Sequence, residues 1–127
     1  MTFLGLGIDI VEIPRLRAAI ERQGQRLLDR CFTAGEQAYC RTHPEPERFY
    51  AARFAAKEAV AKAFGTGIGA DLGWLDIEVT RNEAGAPSVL LTGAGAETAR
   101  RLGIKSVKIS LSHSEHYAVA NAIALGD

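Results

Sequence analysis

Apolar and polar positions along the chain fall into strand-like and helix-like runs separated by Gly, Pro and Asn. Phe3 to Val11 is rich in Ile, Leu and Val and predicts a strand, within which Gly5 and Gly7 permit close backbone approach. Pro14 suits the first position of a helix that stops near Gly24, and a short helix is expected over 25–30. Thr33-Ala-Gly-Glu36 has capping-box spacing, so another helix begins there and runs to about Thr42. His43-Pro-Glu-Pro46 breaks it. The strongest helical segment follows from about Glu47 to Phe64, rich in Ala, free of Gly and Pro, and stopped by Gly65. Beyond the Gly65-Thr-Gly-Ile-Gly69 loop, Trp74 to Thr80 alternates like a strand. Asn82-Glu-Ala-Gly85 then reads as the turn into a strand over Ser88 to Leu91. Thr92 is a candidate cap for a helix ending near Leu102, with Gly103 just past its end. Val107 to Leu111 and Tyr117 to Leu125 are two further strands around a turn at His113 to His116. Strands and helices segregate instead of alternating, which predicts a single small α+β domain spanning 1–127, with antiparallel strands packed against helices.

Composition narrows the function classes. Apolar residues make up 47% and charged residues 24%, as in an ordinary globular protein. Fifteen Lys and Arg balance fifteen Asp and Glu, so no global charge points to nucleic acid. Up to Lys62 there are ten basic residues against eight acidic ones, and five against seven beyond it, so an electrostatic partner would meet the first half. Cys31 and Cys40 are too few for a disulfide framework and have no zinc-ligand spacing, so buried free thiols in a reducing compartment are expected. Asp9 and Glu12 interrupt what would be a signal-peptide core, and no apolar run approaches ~20 residues. A cytoplasmic protein without a membrane span is the expectation.

Several residues could carry chemistry. Asp9 lies in an apolar strand, where a carboxylate is expensive to bury without a charge partner or a metal. The bland alternative is an edge strand with Asp9 in solvent or capping a helix. In Arg53-Phe-Ala-Ala-Lys57-Glu58-Ala-Val-Ala-Lys62, residues four apart share a helix face, so Glu58 lies under Lys62 and Arg53 under Lys57. A Glu–Lys pair at that spacing is commonly a surface pair contributing ~0.3–0.5 kcal/mol. Four charges on an otherwise apolar helix also suit a cleft holding a phosphate, with Glu58 as an oxygen ligand for a hard divalent ion and Lys62 as a point charge. Ser110, Ser112, His113 and Ser114 at a strand end are donors for an anion, or simply turn formers. Leu91-Thr-Gly93-Ala-Gly95-Ala-Glu-Thr98 lacks the third glycine of a dinucleotide fingerprint. Arg15, Arg22 and Arg26 form one stripe if the first helix is nearly continuous, which suggests either a solvated face or an acidic protein partner.

Three of these segments together resemble the holo-acyl-carrier-protein synthases, the small type of phosphopantetheinyl transferase. They are Gly5-Leu-Gly-Ile-Asp9-Ile-Val-Glu-Ile, Arg53-Phe-Ala-Ala-Lys57-Glu58-Ala-Val-Ala-Lys62-Ala-Phe-Gly-Thr-Gly67, and Val107-Lys-Ile-Ser-Leu-Ser-His113. The likeness runs from the first strand to the last, and the central motif is its most specific part. It implies transfer of 4′-phosphopantetheine from coenzyme A to a serine of apo-acyl carrier protein, releasing adenosine 3′,5′-bisphosphate, in the service of fatty acid biosynthesis. By that resemblance Asp9 and Glu58 match magnesium ligands and Lys62 matches the lysine near the pyrophosphate. His113 and Ser112 match the region contacting coenzyme A phosphates, with Arg53 and Gly65 as further candidates for binding it. The resemblance also implies a homotrimer with sites between subunits, and a first helix whose Arg15 and Arg22, with Arg26 beyond it, receive the acidic carrier. Glu58, directly or through a metal-bound water, is the candidate base for the serine. Two alternatives use the same residues. One is magnesium-dependent hydrolysis of a nucleotide pyrophosphate, and the other is a non-catalytic carrier-binding module resting on the arginines.

Overall fold

A long alanine-rich helix lies across a three-stranded antiparallel sheet, and everything at the candidate site depends on how closely the two approach. The computed structural model describes residues Met1–Asp127. In chain order the elements are β1 (Thr2–Glu12), α1 (Ile13–Gln23), α2 (Gln25–Cys31), α3 (Ala34–Arg41) and α4 (Pro46–Phe64). A 3-10 turn (Trp74–Asp76), β2 (Ile77–Arg81), β3 (Pro87–Leu91), α5 (Gly93–Leu102), β4 (Ser106–His113) and β5 (Tyr117–Gly126) follow. The larger sheet has the order β1-β5-β4, and β2 pairs with β3 in a separate hairpin. The result is the expected small α+β arrangement of antiparallel strands against helices.

Small side chains on both surfaces set the approach. Ala118, Ala120, Ala122 and Ala124 of β5 face α4, which presents Ala55, Ala56, Ala59 and Ala63, all of them buried. In β1 the inward positions are Gly5, Gly7, Asp9 and Val11, because alternate residues of a strand share a face. A Cβ on Gly7 would fall 1.9 Å from the Ala59 carbonyl oxygen, and one on Gly5 1.9 Å from that of Ala63. The glycines therefore let β1 lie against the helix backbone, as the sequence pattern predicts. Pro46 opens α4, and Gly65 closes it in the left-handed region at φ 79°.

On the far side of the sheet nothing covers Leu6, Ile8 and Ile10, which are 60%, 63% and 64% exposed. A second core gathers Ile13, Leu16, Leu27, Phe32, Tyr50 and both cysteines beneath α1, α2 and α3. Cys31 and Cys40 are free and buried, and desolvation raises the Cys40 thiol to about 11.

Two local expectations change. Trp74–Asp76 is a 3-10 turn and the strand starts only at Ile77, because the Asp76 carboxylate folds back to accept Gly73 N–H at 2.9 Å. The same oxygen accepts Gly95 N–H at 3.1 Å, so Asp76, and not Thr92, supplies the side-chain cap of α5. A Cβ on Gly95 would meet Asp76 Cβ at 2.8 Å, so the glycine in the dinucleotide-like stretch makes room for that cap. Gly24, at φ 63°, ends the first helix where the sequence predicts, so Arg26 sits on α2 and the condition for a single arginine stripe is not met.

Candidate active site

β1 and α4 bring distant parts of the chain together at one end of their contact. Lys62 Nζ donates to the Ile8 carbonyl at 2.9 Å and to Asp9 Oδ1 at 3.2 Å. Glu58 stands one helical turn before Lys62 on the same face. The pair Asp9–Lys62 is half open, with side-chain exposures of 20% and 51%, so water and solutes reach it. Burial pushes the Glu58 carboxyl above the ordinary range, and the neighbouring Asp9 charge raises it further, while Lys62 partly opposes both.

These three side chains line a solvent-open cavity of about 690 Å³. Its other walls come from Glu12, Arg15 and Tyr117 on the polar side and from Ile10, Leu16, Ala19 and Phe54 on the apolar side. With Glu58 ionised, three carboxylates face two cations, so the lining carries one net negative charge. A polyphosphate would be repelled by such a lining, whereas a divalent cation between the acids would reverse its sign. No protein donor contacts Glu58, and Asp9 gives only Oδ1 to Lys62, so carboxylate lone pairs remain for a ligand. No group of three or more His, Cys, Asp or Glu side chains able to hold a metal forms anywhere in the chain, this cavity included. Two carboxylates completed by waters and substrate phosphates is the donor set magnesium accepts, so the residues fit that ion.

The remaining candidates are scattered. Arg15 reaches the cavity, while Arg22 and Arg26 are exposed outside it. Lys57, about 100° around α4 from Glu58, is fully buried in an ion pair with Glu36 at 2.6 Å and does not line the cleft. Arg53, one turn earlier on that side, is 1% exposed with its guanidinium 4.3 Å from the Tyr39 ring centre, also away from the cavity. Arg53 is thus not brought together with Lys62, contrary to the expectation of four charges along one cleft. Gly65 ends α4 without lining the cavity. Ser112 borders a shallow hollow on the open sheet face with Ser110 and Asn121, and His113 packs edge-on against Phe49 at 5.3 Å. Within one chain, neither joins Asp9 and Glu58. Glu12, Phe54 and Tyr117 were not anticipated. Phe54 carries the one usable signal, since it lies four residues before Glu58 and shares its face.

The family model of the 4′-phosphopantetheinyl transferase superfamily matches residues 5–122, which contain every residue of the cavity. The chain belongs to this family. Within the superfamily its relatives are holo-[acyl-carrier-protein] synthases. That of Desulforudis audaxviator is 51% identical over 123 residues, covering 97% of this chain and 93% of the relative. The crystal structure of the Neisseria meningitidis holo-[acyl-carrier-protein] synthase superposes with a TM-score of 0.92 at 31% identity, covering 98% of this chain and 99% of that one. The Helicobacter pylori enzyme, crystallised in complex with coenzyme A, gives 0.85 at 32% identity, with 94% and 99% covered. This member of the transferase family is therefore an enzyme of the holo-acyl-carrier-protein synthase kind.

Proposed function

We propose that the chain transfers the 4′-phosphopantetheine group of coenzyme A to a serine hydroxyl of an apo-acyl carrier protein, with magnesium held by Asp9 and Glu58. The observation that carries this reading is the meeting of Asp9, Glu58 and Lys62 on one open cavity beside α1. The named relatives and the coenzyme A complex of the H. pylori enzyme supply the substrate classes.

In the reaction the serine oxygen attacks the phosphorus bearing the pantetheine arm, and the bond to the adenosine 3′,5′-bisphosphate oxygen breaks. Catalysis of such a displacement is mainly positioning and neutralisation of charge on the phosphate oxygens. Bound magnesium would supply Lewis-acid neutralisation of the diphosphate. Lys62, held by the Ile8 carbonyl, keeps its ammonium at the cavity mouth, where it offsets charge on the departing bisphosphate. Glu58 is the carboxylate at hand to accept the serine proton. Arg15 is placed to meet the acidic carrier where it presents its serine to the cavity, and Arg22 extends that positive face along α1. Ser112 and His113 contribute to coenzyme A binding from the neighbouring subunit of a homotrimer, whereas the buried Arg53 is out of reach of it. That assembly is supported by the uncovered Leu6, Ile8 and Ile10, a contiguous apolar strip a lone chain would leave in water. No helix is long and apolar enough to cross a membrane. The proposed substrate and the two free thiols support a cytoplasmic site of action.

Intact-mass spectrometry of an apo-carrier incubated with coenzyme A, magnesium and the protein tests the reading. A phosphopantetheine mass gain is expected. Adenosine bisphosphate appearing without a modified carrier would favour pyrophosphate hydrolysis, and carrier binding without either product would reduce the chain to a binding module.

A further inference from the structure

The most heavily bonded charged group in the molecule lies outside the cavity. Lys57 Nζ donates to Glu36 Oε1 at 2.6 Å, to the Cys31 carbonyl at 2.8 Å and to the Trp74 carbonyl at 3.0 Å. Three acceptors exhaust the three donors of an ammonium. Glu36 is equally engaged, accepting Thr33 N–H at 2.8 Å on Oε1 and Val79 N–H at 2.8 Å on Oε2. Both side chains are wholly inaccessible.

Stability alone does not account for this arrangement. Desolvating two charges offsets most of their mutual attraction, so a well-packed apolar pair would serve α4 as well or better. What the ammonium does provide is a fixed point for backbone with no regular structure. The glycine-rich segment from Gly65 to Gly73 has no helix or strand, and Lys57 ties its far end at the Trp74 carbonyl. The Trp74 ring in turn packs on Phe54, with centres 4.7 Å apart, and Phe54 forms the cavity wall one turn before Glu58.

We infer that Lys57, held by Glu36, is a positioning residue. It anchors Trp74 behind Phe54 and fixes the rotation of α4, so that Phe54 and Glu58 face the cavity. The inference rests on reading that cavity as the transfer site.

Trp74 is the only tryptophan, so its fluorescence reports this wall directly. Lys57→Met strands a buried carboxylate. Lys57→Met combined with Glu36→Gln removes both charges at nearly constant volume, and this double variant is expected to unfold near the wild-type temperature. Its Trp74 emission should shift to longer wavelength with stronger acrylamide quenching, because the Trp74 carbonyl has lost its donor. Transfer kcat should fall about tenfold to a hundredfold, the scale of a small misplacement at a reacting centre. Wild-type emission and wild-type kcat in the folded double variant would overturn the proposal. If the double variant does not fold, nuclear magnetic resonance of the wild type with ¹⁵N-labelled lysine replaces it. The buried Lys57 ammonium should give a slowly exchanging signal that moves when coenzyme A and magnesium are added, and an unmoved signal overturns the proposal. The emission readout needs no turnover. A wild-type protein that transfers nothing would refute the proposed function while leaving the anchoring of Trp74 to stand or fall separately.

Discussion

Gly7→Ala is the sharpest single perturbation of the candidate site, although it removes no functional group. The added Cβ would lie 1.9 Å from the Ala59 carbonyl oxygen and 2.9 Å from the Ala63 nitrogen. Separations under 3.0 Å are essentially never seen for real Cβ atoms, so β1 and α4 must part by at least about 1.1 Å (3.0 less 1.9). Both obstacles are helix backbone, which cannot swing aside as a side chain can. Overpacking of this kind destabilises by roughly 1–3 kcal/mol. The functional effect is larger, because Lys62 spans the same seam through its bonds to Ile8 and Asp9. A displacement of about 1 Å at a reacting centre can lower turnover on the order of 100-fold. Denaturant unfolding gives the stability, and mass spectrometry of the carrier gives the rate. Gly69→Ala is the control, since its Cβ would have no neighbour within 4 Å, and it should change stability by no more than about 0.5 kcal/mol. Wild-type stability and turnover in Gly7→Ala would refute the claim that direct backbone contact between β1 and α4 builds the site.

Glu58→Gln should abolish transfer while the protein stays folded, as read by turnover and circular dichroism, and near-normal turnover would remove Glu58 from the site. The folded protein holds a proton on Glu58 more tightly than the unfolded chain does. The raised pKa therefore lowers stability as pH rises from the ordinary glutamate range through the raised value, and Glu58→Gln should flatten that part of the stability–pH curve. Arg22→Glu should weaken carrier affinity in low salt and leave coenzyme A affinity unchanged in calorimetry, because Arg22 lies outside the cavity. Leu6→Asp places a charge on the open sheet face and should yield monomers in sedimentation, whereas a persistent trimer would contradict the proposed interface.

Much of the scaffold was legible because it rests on local rules. Pro46 and Gly65 bound α4, and Thr33 and Glu36 form the capping box expected of them, with both reciprocal bonds present. Glycines at Gly5 and Gly7 signalled a close approach without naming the partner, since only the tertiary fold shows that the Ala59 and Ala63 carbonyls lie there. The charges of α4 were harder. A spacing of four places Arg53 with Lys57 and Glu58 with Lys62, but periodicity does not say which side looks into a cavity and which into the core. The buried side was decided by Glu36, 21 residues earlier, which no local pattern links to Lys57. Asp76 shows the same limit, capping a helix that starts well downstream and thereby shortening β2 at its start. Arg15 could be placed on the first helix from sequence. The stop at Gly24 and the short helix after it were also legible, and they separate Arg26 from Arg15 and Arg22.

The central claim is that Asp9 and Glu58 act together on one cation beside a diphosphate. Titrating manganese, as a paramagnetic stand-in for magnesium, into the protein with coenzyme A and following free ion by electron paramagnetic resonance tests it directly. The account predicts one bound ion per chain, lost equally in Asp9→Asn and in Glu58→Gln. Undiminished binding in either variant would contradict it.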